Sequence, residues 1–317
     1  MKHEALILPA AVLLDLILGD PRWLPHPVVF IGRLIAALEK MLRRLIANER
    51  LAGMILLLTV VGVVASLAWG IVRGAYGLHA YLGDAVSVIL SWTCLAAGSL
   101  HRESALVAEA LLRGDLAEAR RFLSYIVGRD TASLDEGELW RGTVETVAEN
   151  TSDGVIAPLF CLMLGGPVLG LAYKAVNTLD SMVGYRNEKY LHFGWASARF
   201  DDLANLLPAR LTGLLMALVA PLVGLSGRNA WRMMGRDGQN HSSPNSGIPE
   251  AAAAGALGVR LGGANYYFGR LVEKPTIGEP LRPLDFRAYR GTVRLMYGSQ
   301  ALLLGFWLIF LLLRMSA

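Results

Sequence analysis

Residues 51–72 read LAGMILLLTVVGVVASLAWGIV, a run without charge between Arg50 and Arg73. At about 1.5 Å of rise per residue, the run exceeds the ~20 residues that carry a helix across a hydrocarbon core. It decides the fold class: an all-α, polytopic integral membrane protein. Further uncharged runs at 85–100, 154–173, 211–227 and 295–313 predict four more spans, the last built around LLLGFWLIFLLL. The opening run, 5–19, is short, carries Asp15 and is followed by GDPRWLPHP rather than a small-residue cleavage site. It reads as a retained span or interfacial helix, not a signal peptide.

Composition agrees. Of 317 residues 54% are hydrophobic and 18% charged, and mean hydropathy is +0.44. That charged fraction excludes a disordered or coiled-coil chain, and two cysteines exclude a disulfide scaffold. A net charge of +4 without a basic tract gives no support to a nucleic-acid partner. Cys94 and Cys161 sit in apolar runs and read as buried small hydrophobes.

Lysine and arginine number six in 22–50, one in 73–84, six in 101–149 and ten in 228–294. Basic loops stay cytoplasmic, so the segments at about 22–50, 101–150 and 228–294 are expected inside, as loop helices and loops of one integral membrane domain, 1–317. Gly165, Gly166 and Pro167 interrupt one apolar run, and Pro208 and Pro221 flank or enter the next. Such breaks predict broken or re-entrant helices, tolerated only inside protein or along a wet cavity, which return 174–202 to the cytoplasmic side.

Four clusters carry polar chemistry. Glu145, Glu149 and Asp153 in ETVAENTSDGVIAPLF are spaced i, i+4, i+8 and would stack on one helix face. Their mutual repulsion is removed by Mg²⁺, which takes one or two carboxylates plus phosphate oxygens; a solvated acidic face is the alternative. In YKAVNTLDSMVGYRNEKY, Lys174, Asn177, Asp180 and Ser181 share a face, followed by Arg186 and Lys189, either as phosphate ligands or as a juxtamembrane basic loop. Asp201 and Asp202 in RFDDLANLLPAR are a catalytic pair or helix-start caps. In NHSSPNSGIPEAAAAGALG, the loop with Ser243, Asn245, Ser246 and Gly247 precedes a helix with Pro249 and Glu250 expected at its first two positions. Backbone N–H groups there could cradle a phosphate or carboxylate, and the alanines suit close helix packing.

Asp15 is a candidate because an unpaired intramembrane charge is costly. Asp20, Arg22 and His26 lie among the prolines that follow, His26 reading as a structural hydrogen-bonder. The other histidines are scattered, with no HExxH, and no GxxxxGK[ST], strand-borne GxGxxG or GxSxG is present, so familiar zinc, nucleotide and hydrolase architectures are unsupported.

The blocks LGDPRWLPHPVVFIG, ETVAENTSDGVIAPLF, YKAVNTLDSMVGYRNEKY with GWASARFDDLANLLPARLTG, and PNSGIPEAAAAGALGVRLGG, in this order, resemble the adenosylcobinamide-phosphate synthase family, the CbiB/CobD membrane proteins of cobalamin biosynthesis. The resemblance implies an ATP-dependent ligase that joins adenosylcobyric acid to (R)-1-amino-2-propanol or its O-phosphate. It implies ATP as cosubstrate and Mg²⁺, with cobalt only inside the corrinoid, and an inner-membrane protein whose site faces the cytoplasm. On that chemistry the expected metal ligands are Glu145, Glu149 and Asp153. Asp180, Lys174, Asp201 and Asp202 are expected to be catalytic, one of the last two as base. Asn177, Arg186, Lys189 and Ser243 to Gly247 are expected to bind substrate or phosphate. Partners beyond the corrinoid, the aminopropanol and the bilayer are a homo-oligomer or the late cobalamin enzymes. A transporter of a corrinoid or other anionic metabolite is the rival reading, and a noncatalytic scaffold the third.

Overall fold

The computed structural model describes residues 4–21, 26–185, 187–267 and 269–316. Thirteen helices occur among them, in chain order α1 (Glu4–Leu18), α2 (Pro27–Leu45), α3 (Glu49–Leu78), α4 (Ala80–Trp92), α5 (Ala97–Leu112), α6 (Leu116–Leu123), α7 (Glu136–Asn150), α8 (Ala157–Val183), α9 (Trp195–Ala204), α10 (Leu206–Val219), α11 (Gly227–Asp237), α12 (Gly247–Leu257) and α13 (Phe286–Ser316). Four three-residue strands, β1 (Arg260–Gly262), β2 (Asn265–Tyr267), β3 (Arg270–Val272) and β4 (Thr276–Gly278), pair antiparallel as β1 with β4 and β2 with β3. Five stretches are long and apolar enough to cross a membrane: Glu49–Leu78, Ala80–Leu112, Glu136–Val183, Leu206–Val223 and Phe286–Arg314. Each overlaps one of the five predicted runs and four contain theirs entirely, the run 211–227 extending past Val223, and the opening segment forms the shorter apolar helix Leu6–Leu18.

Caps set the helix starts. Asn48 accepts the Leu51 N–H (3.2 Å) ahead of α3, and Asp135 and Glu138 form a reciprocal capping box on α7. His26 caps α2 through Nδ1, with Pro27 behind it, the structural role its sequence context suggests. Along α3, Leu58, Leu67, Trp69 and Ile71 are exposed, as are Phe306, Ile309, Phe310 and Leu312 on α13. Apolar surface of that extent needs lipid against it.

The chain divides into two compact units, 1–96 with 157–205, and 97–156 with 206–317. In the first, α3 packs on α2, α4, α8 and α9, and α1 on α4, around a core that includes Ile35, Leu56, Leu179 and Phe193. Gly53 lets α3 approach closely, since a Cβ there would stand 1.8 Å from the Phe193 carbonyl oxygen. Asp15 is fully buried and has polar partners, so its charge is accommodated inside protein. Cys94 is buried and Cys161 half-buried, both free thiols.

The predicted break in α8 is present. Gly165 (φ −142°, ψ 20°) and Gly166 (φ 59°, ψ −157°) leave helical geometry immediately before Pro167. The Gly166 conformation is one that only glycine adopts without strain. In the second unit, α10 passes through a 3₁₀ turn, Ala220–Val223, at Pro221, whereas Pro208 sits in its first turn without interrupting it. Helix α12 begins at Gly247, two residues before the expected start, which moves Glu250 out of the first positions and into the buried face. Its alanines are buried against α10 and α11, with Gly255 held where a Cβ would meet the Asn229 carbonyl at 2.3 Å.

Candidate active site

Between α7 and Ala157 the chain forms a π-helical segment, Thr151–Ile156. A π turn carries one extra residue and breaks the α register. Glu145 and Glu149 therefore share the α7 face as predicted, while Asp153 lies beyond the register change, and the i, i+8 stack does not extend to it. Among the described residues no group of three His, Cys, Asp or Glu side chains is placed to hold a metal ion.

What Glu145 and Glu149 line instead is a cavity of about 140 Å³ in the second unit, closed by the 126–129 loop, α7, the start of α12 and the β-hairpin segments. Glu145 is fully engaged there. Its Oε2 accepts from the Arg129 guanidinium, and its Oε1 accepts the Gly262 N–H at 2.7 Å. Arg129 also donates to Asn265 Oδ1, which takes a second donor, Arg141, at 3.0 Å. Arg129, Glu145 and Asn265 are all buried, so this network fixes the hairpin to α7 from inside.

The remaining ionisable groups are less balanced. The Glu149 side chain makes no hydrogen bond or ion pair among the described residues, and the Glu250 side chain, 4% exposed, likewise has no hydrogen bond. Burial holds the Glu250 carboxyl well above the ordinary carboxylate range, and the negative charges of Glu149 and Glu145 push it further, against Lys274 and Arg129. Lys274 donates to Tyr267 OH at 3.0 Å. His241 is held down chiefly by burial, with Lys274 adding to the effect. Its Nδ1 accepts the Ser243 N–H at 3.1 Å, which leaves Nε2 as the protonated nitrogen of the neutral ring. Since Glu145 and Arg129 cancel, the cavity is left with two carboxyl groups against one lysine.

The loop expected to present N–H donors uses them internally. Ser243 Oγ accepts from the Asn245 and Ser246 N–H groups at 3.2 and 3.4 Å, and Asn245 Oδ1 accepts from Arg210 at 2.9 Å. Gly247 packs so closely that a Cβ would meet the Gly238 carbonyl oxygen at 2.5 Å. The loop supplies His241 and Glu250 to the cavity, while none of Ser243, Asn245, Ser246 and Gly247 is among its lining residues.

The first unit carries its own polar cluster. Asp201 on α9 accepts from the Asn205 amide at 3.0 Å, and Asn205 in turn accepts from Tyr173 OH at 2.8 Å. Among the described residues the other Asp201 oxygen is buried without a hydrogen bond of good geometry, with the Asn177 side chain close enough to favour its ionised form. Burial first, then the nearby Asp180 carboxylate, push the Asp201 carboxyl up to about 7, against the Asn205 amide. Asn177 and Asp180, which share a face of α8 as their spacing suggests, stand beside Asp201. Asp202 faces away toward a surface hollow that it lines with Tyr185 and Trp195, 3.9 Å from Arg199. Lys174 is half-buried on α8. Lys189 is exposed and committed to Glu39 at 3.3 Å and to Tyr190 OH at 2.6 Å, a framework contact. Arg186, and Arg22 of the N-terminal block, lie outside the described residues.

Arg129, His241, Glu250, Asn265 and Lys274 complete the cavity and were not singled out from sequence. His241 and Glu250 lie inside the fourth cluster, where the first reads as one of the scattered histidines and the second as a helix start.

The comparisons with known proteins agree with the architecture. The family model described as CobD/Cbib protein matches residues 8–296. "Cobalamin biosynthesis protein CobD" of Geobacter metallireducens is 72% identical over 303 residues, 96% of this chain and 95% of that protein. The protein of the same name from Pelobacter propionicus is 64% identical over 299 residues, 94% and 93% of the two chains. "Cobalamin biosynthesis protein CbiB" of Salmonella typhimurium is 49% identical over 297 residues, 93% of each. No solved structure matches. With five apolar spans, a broken α8 and near full-length identity of this order, the chain belongs to the CobD/CbiB protein family.

Proposed function

We propose that this protein acts in cobalamin biosynthesis as an ATP-dependent acid–amine ligase that joins the propionate carboxylate of adenosylcobyric acid to (R)-1-amino-2-propanol or its O-phosphate. The observation that carries the reading is the small cavity that brings the Glu149 and Glu250 carboxyl groups together with His241 and Lys274, with the Glu250 carboxyl held above its ordinary range. At about 140 Å³ it falls below the ~300–1,000 Å³ of pockets that enclose drug-sized ligands. A corrinoid or a whole nucleotide does not fit; a short amino alcohol does. An ammonium placed beside Glu149 and Glu250 favours the ionised form of Glu250, and that carboxylate, with its raised pKa, is suited to remove the proton that the amine must lose. Lys274 is the cation available to an O-phosphate.

A free carboxylate is a poor acyl donor because oxide would have to leave. Transfer of a phosphoryl group from ATP makes the acyl phosphate, the amine attacks its carbonyl carbon, and phosphate departs as the C–N bond forms. Asp201, titrating at about 7 in the first unit, is the second candidate base, ahead of Asp202, which is paired with Arg199. Asp180 and Lys174 stand with it as proposed catalytic groups, and Asn177 as a proposed substrate contact. The residues do not fit a resident Mg²⁺ bound by Glu145, Glu149 and Asp153: both Glu145 oxygens are engaged, Asp153 lies within the π segment, and among the described residues the three are not grouped to hold an ion. Mg²⁺ is assigned to the nucleotide as Mg·ATP, and no step is routed through a protein-bound ion. The concentration of basic residues in 22–50, 101–149 and 228–294 supports an inner-membrane protein with the cavity on the cytoplasmic side.

Purified protein incubated with Mg·ATP, adenosylcobyric acid and each amine in turn tests the proposal. Amide product with matching nucleotide turnover supports it. Corrinoid flux into vesicles without nucleotide turnover would instead support a transporter, the reading that the kinked α8 also suits; neither activity would leave a scaffold.

A further inference from the structure

A second cavity in the same unit, of about 620 Å³, lies where the 3₁₀ turn after α10, the end of α12 and the start of α13 meet, away from every residue assigned above. Arg282, Arg287, Arg290 and Arg294 line it. The last three are spaced i, i+3, i+7 and share one face of α13, and all four are exposed to the cavity side of the protein. Among the described residues none of the four guanidinium groups has a salt bridge or a side-chain hydrogen bond. Arg290 lies over the Phe286 ring, 5.7 Å from its centroid. Asp285, the one acidic lining residue, is spent elsewhere: its Oδ1 accepts the N–H groups of Arg287 and Ala288 at 2.8 and 3.1 Å, capping α13.

The positions are built, not incidental. The Arg282 N–H donates to the Gly258 carbonyl at 2.8 Å and the Leu281 N–H to the same oxygen at 3.0 Å, where Gly258 closes α12 with φ 72°. This clamps the loop bearing Arg282 against the helix end. Four like charges converging on one hollow repel one another, and Asp285, the single carboxylate of the cavity, offsets one of them at most. An anion does so, and the planar guanidinium forks match phosphate oxygens in pairs.

We propose that the cavity of Arg282, Arg287, Arg290 and Arg294 is a binding site for a phosphate-bearing anion. Its volume lies within the ~300–1,000 Å³ range of ligand sites, so it takes a polyphosphate or nucleotide whole. The position at the polar end of a spanning helix equally admits the headgroup of an anionic lipid. The proposal does not depend on the ligase reaction.

Three probes test it on the full-length protein in nanodiscs: inorganic tripolyphosphate, ATP, and bilayers of phosphatidylcholine with or without cardiolipin. The variants are R287Q/R290Q and R287K/R290K, with R232Q as an exposed-arginine control. Weakening of tripolyphosphate or ATP binding by roughly tenfold per guanidinium removed, partly restored by lysine and absent in R232Q, assigns a soluble phosphate ligand. Loss of cardiolipin retention in R287Q/R290Q, with soluble anions unaffected, assigns the headgroup. Binding of all three probes unchanged in a folded R287Q/R290Q protein overturns the site.

Discussion

Arg129 and Glu145 offer the most quantitative test of how the cavity is held together. Both are buried, 9% and 8% exposed, and they are joined directly. Replacing Arg129 by Met leaves the Glu145 charge buried, with one N–H donor from Gly262 and the Glu149 and Glu250 carboxyl groups for company. Removing one partner of such a pair costs about 3–5 kcal/mol. Glu145→Gln keeps an acceptor for the Gly262 N–H, and Arg129 retains Asn265 Oδ1, so its cost should be smaller, about 1–3 kcal/mol. The double variant Arg129→Met/Glu145→Gln should be less damaged than the sum, by a coupling of about 0.5–3 kcal/mol. Thermal unfolding in detergent followed by far-UV circular dichroism is the assay, with Arg129→Met lowered by on the order of 10 °C. Single variants within about 0.5 kcal/mol of the parent, or strictly additive losses, would refute a buried pair as the bridge between α7 and the hairpin.

Three further outcomes follow from the same geometry. Because the Glu250 pKa is raised above 4.5 in the folded chain, its contribution to stability falls as pH climbs from that value to the native one and is flat beyond. Glu250→Gln should therefore gain on the parent over that rise, and parallel stability–pH curves would contradict it. Asp201, raised from 3.8 to about 7, acts as a base only when ionised, so turnover should rise through pH 7. Asp201→Asn should lose that limb, and its stability should fall less between pH 4 and 7 than the parent's does; a retained limb removes Asp201 from the reaction. Gly166→Ala meets no atom within 4 Å, so its cost is backbone strain alone, about 1–3 kcal/mol, measurable as lowered thermal stability. An unaffected variant would mean that the α8 break relaxes.

The spans were legible because an uncharged run of that length has few other physical outcomes, and the Gly165–Gly166–Pro167 break because two permissive residues and an imino acid cannot continue a helix. The shared face of Asn177 and Asp180 followed from helical spacing on α8, whereas their approach to Asp201 comes from the packing of α9 on α8. The π segment was not legible: nothing in TSDGVI distinguishes an inserted residue from a regular turn, and so the register of Asp153 was misplaced relative to Glu149. Nor could composition show that Ser243 Oγ and His241 Nδ1 consume the loop's own N–H groups. Arg129, Asn265 and Lys274 come from loop and hairpin positions without periodicity, brought to Glu145 and Glu250 only by tertiary pairing. The start of α12, two residues early, turned Glu250 from a helix-cap charge into a buried one.

The central claim is that Glu149 and Glu250 bind the amine. Steady-state kinetics of Glu149→Gln in the reconstituted ligase reaction test it most directly. Loss of the pocket's unpaired carboxylate should raise KM for aminopropanol or its phosphate by roughly tenfold or more, while KM for ATP stays within about a factor of two. A normal amine KM alongside a raised KM for ATP would contradict the claim and return Glu149 to the nucleotide.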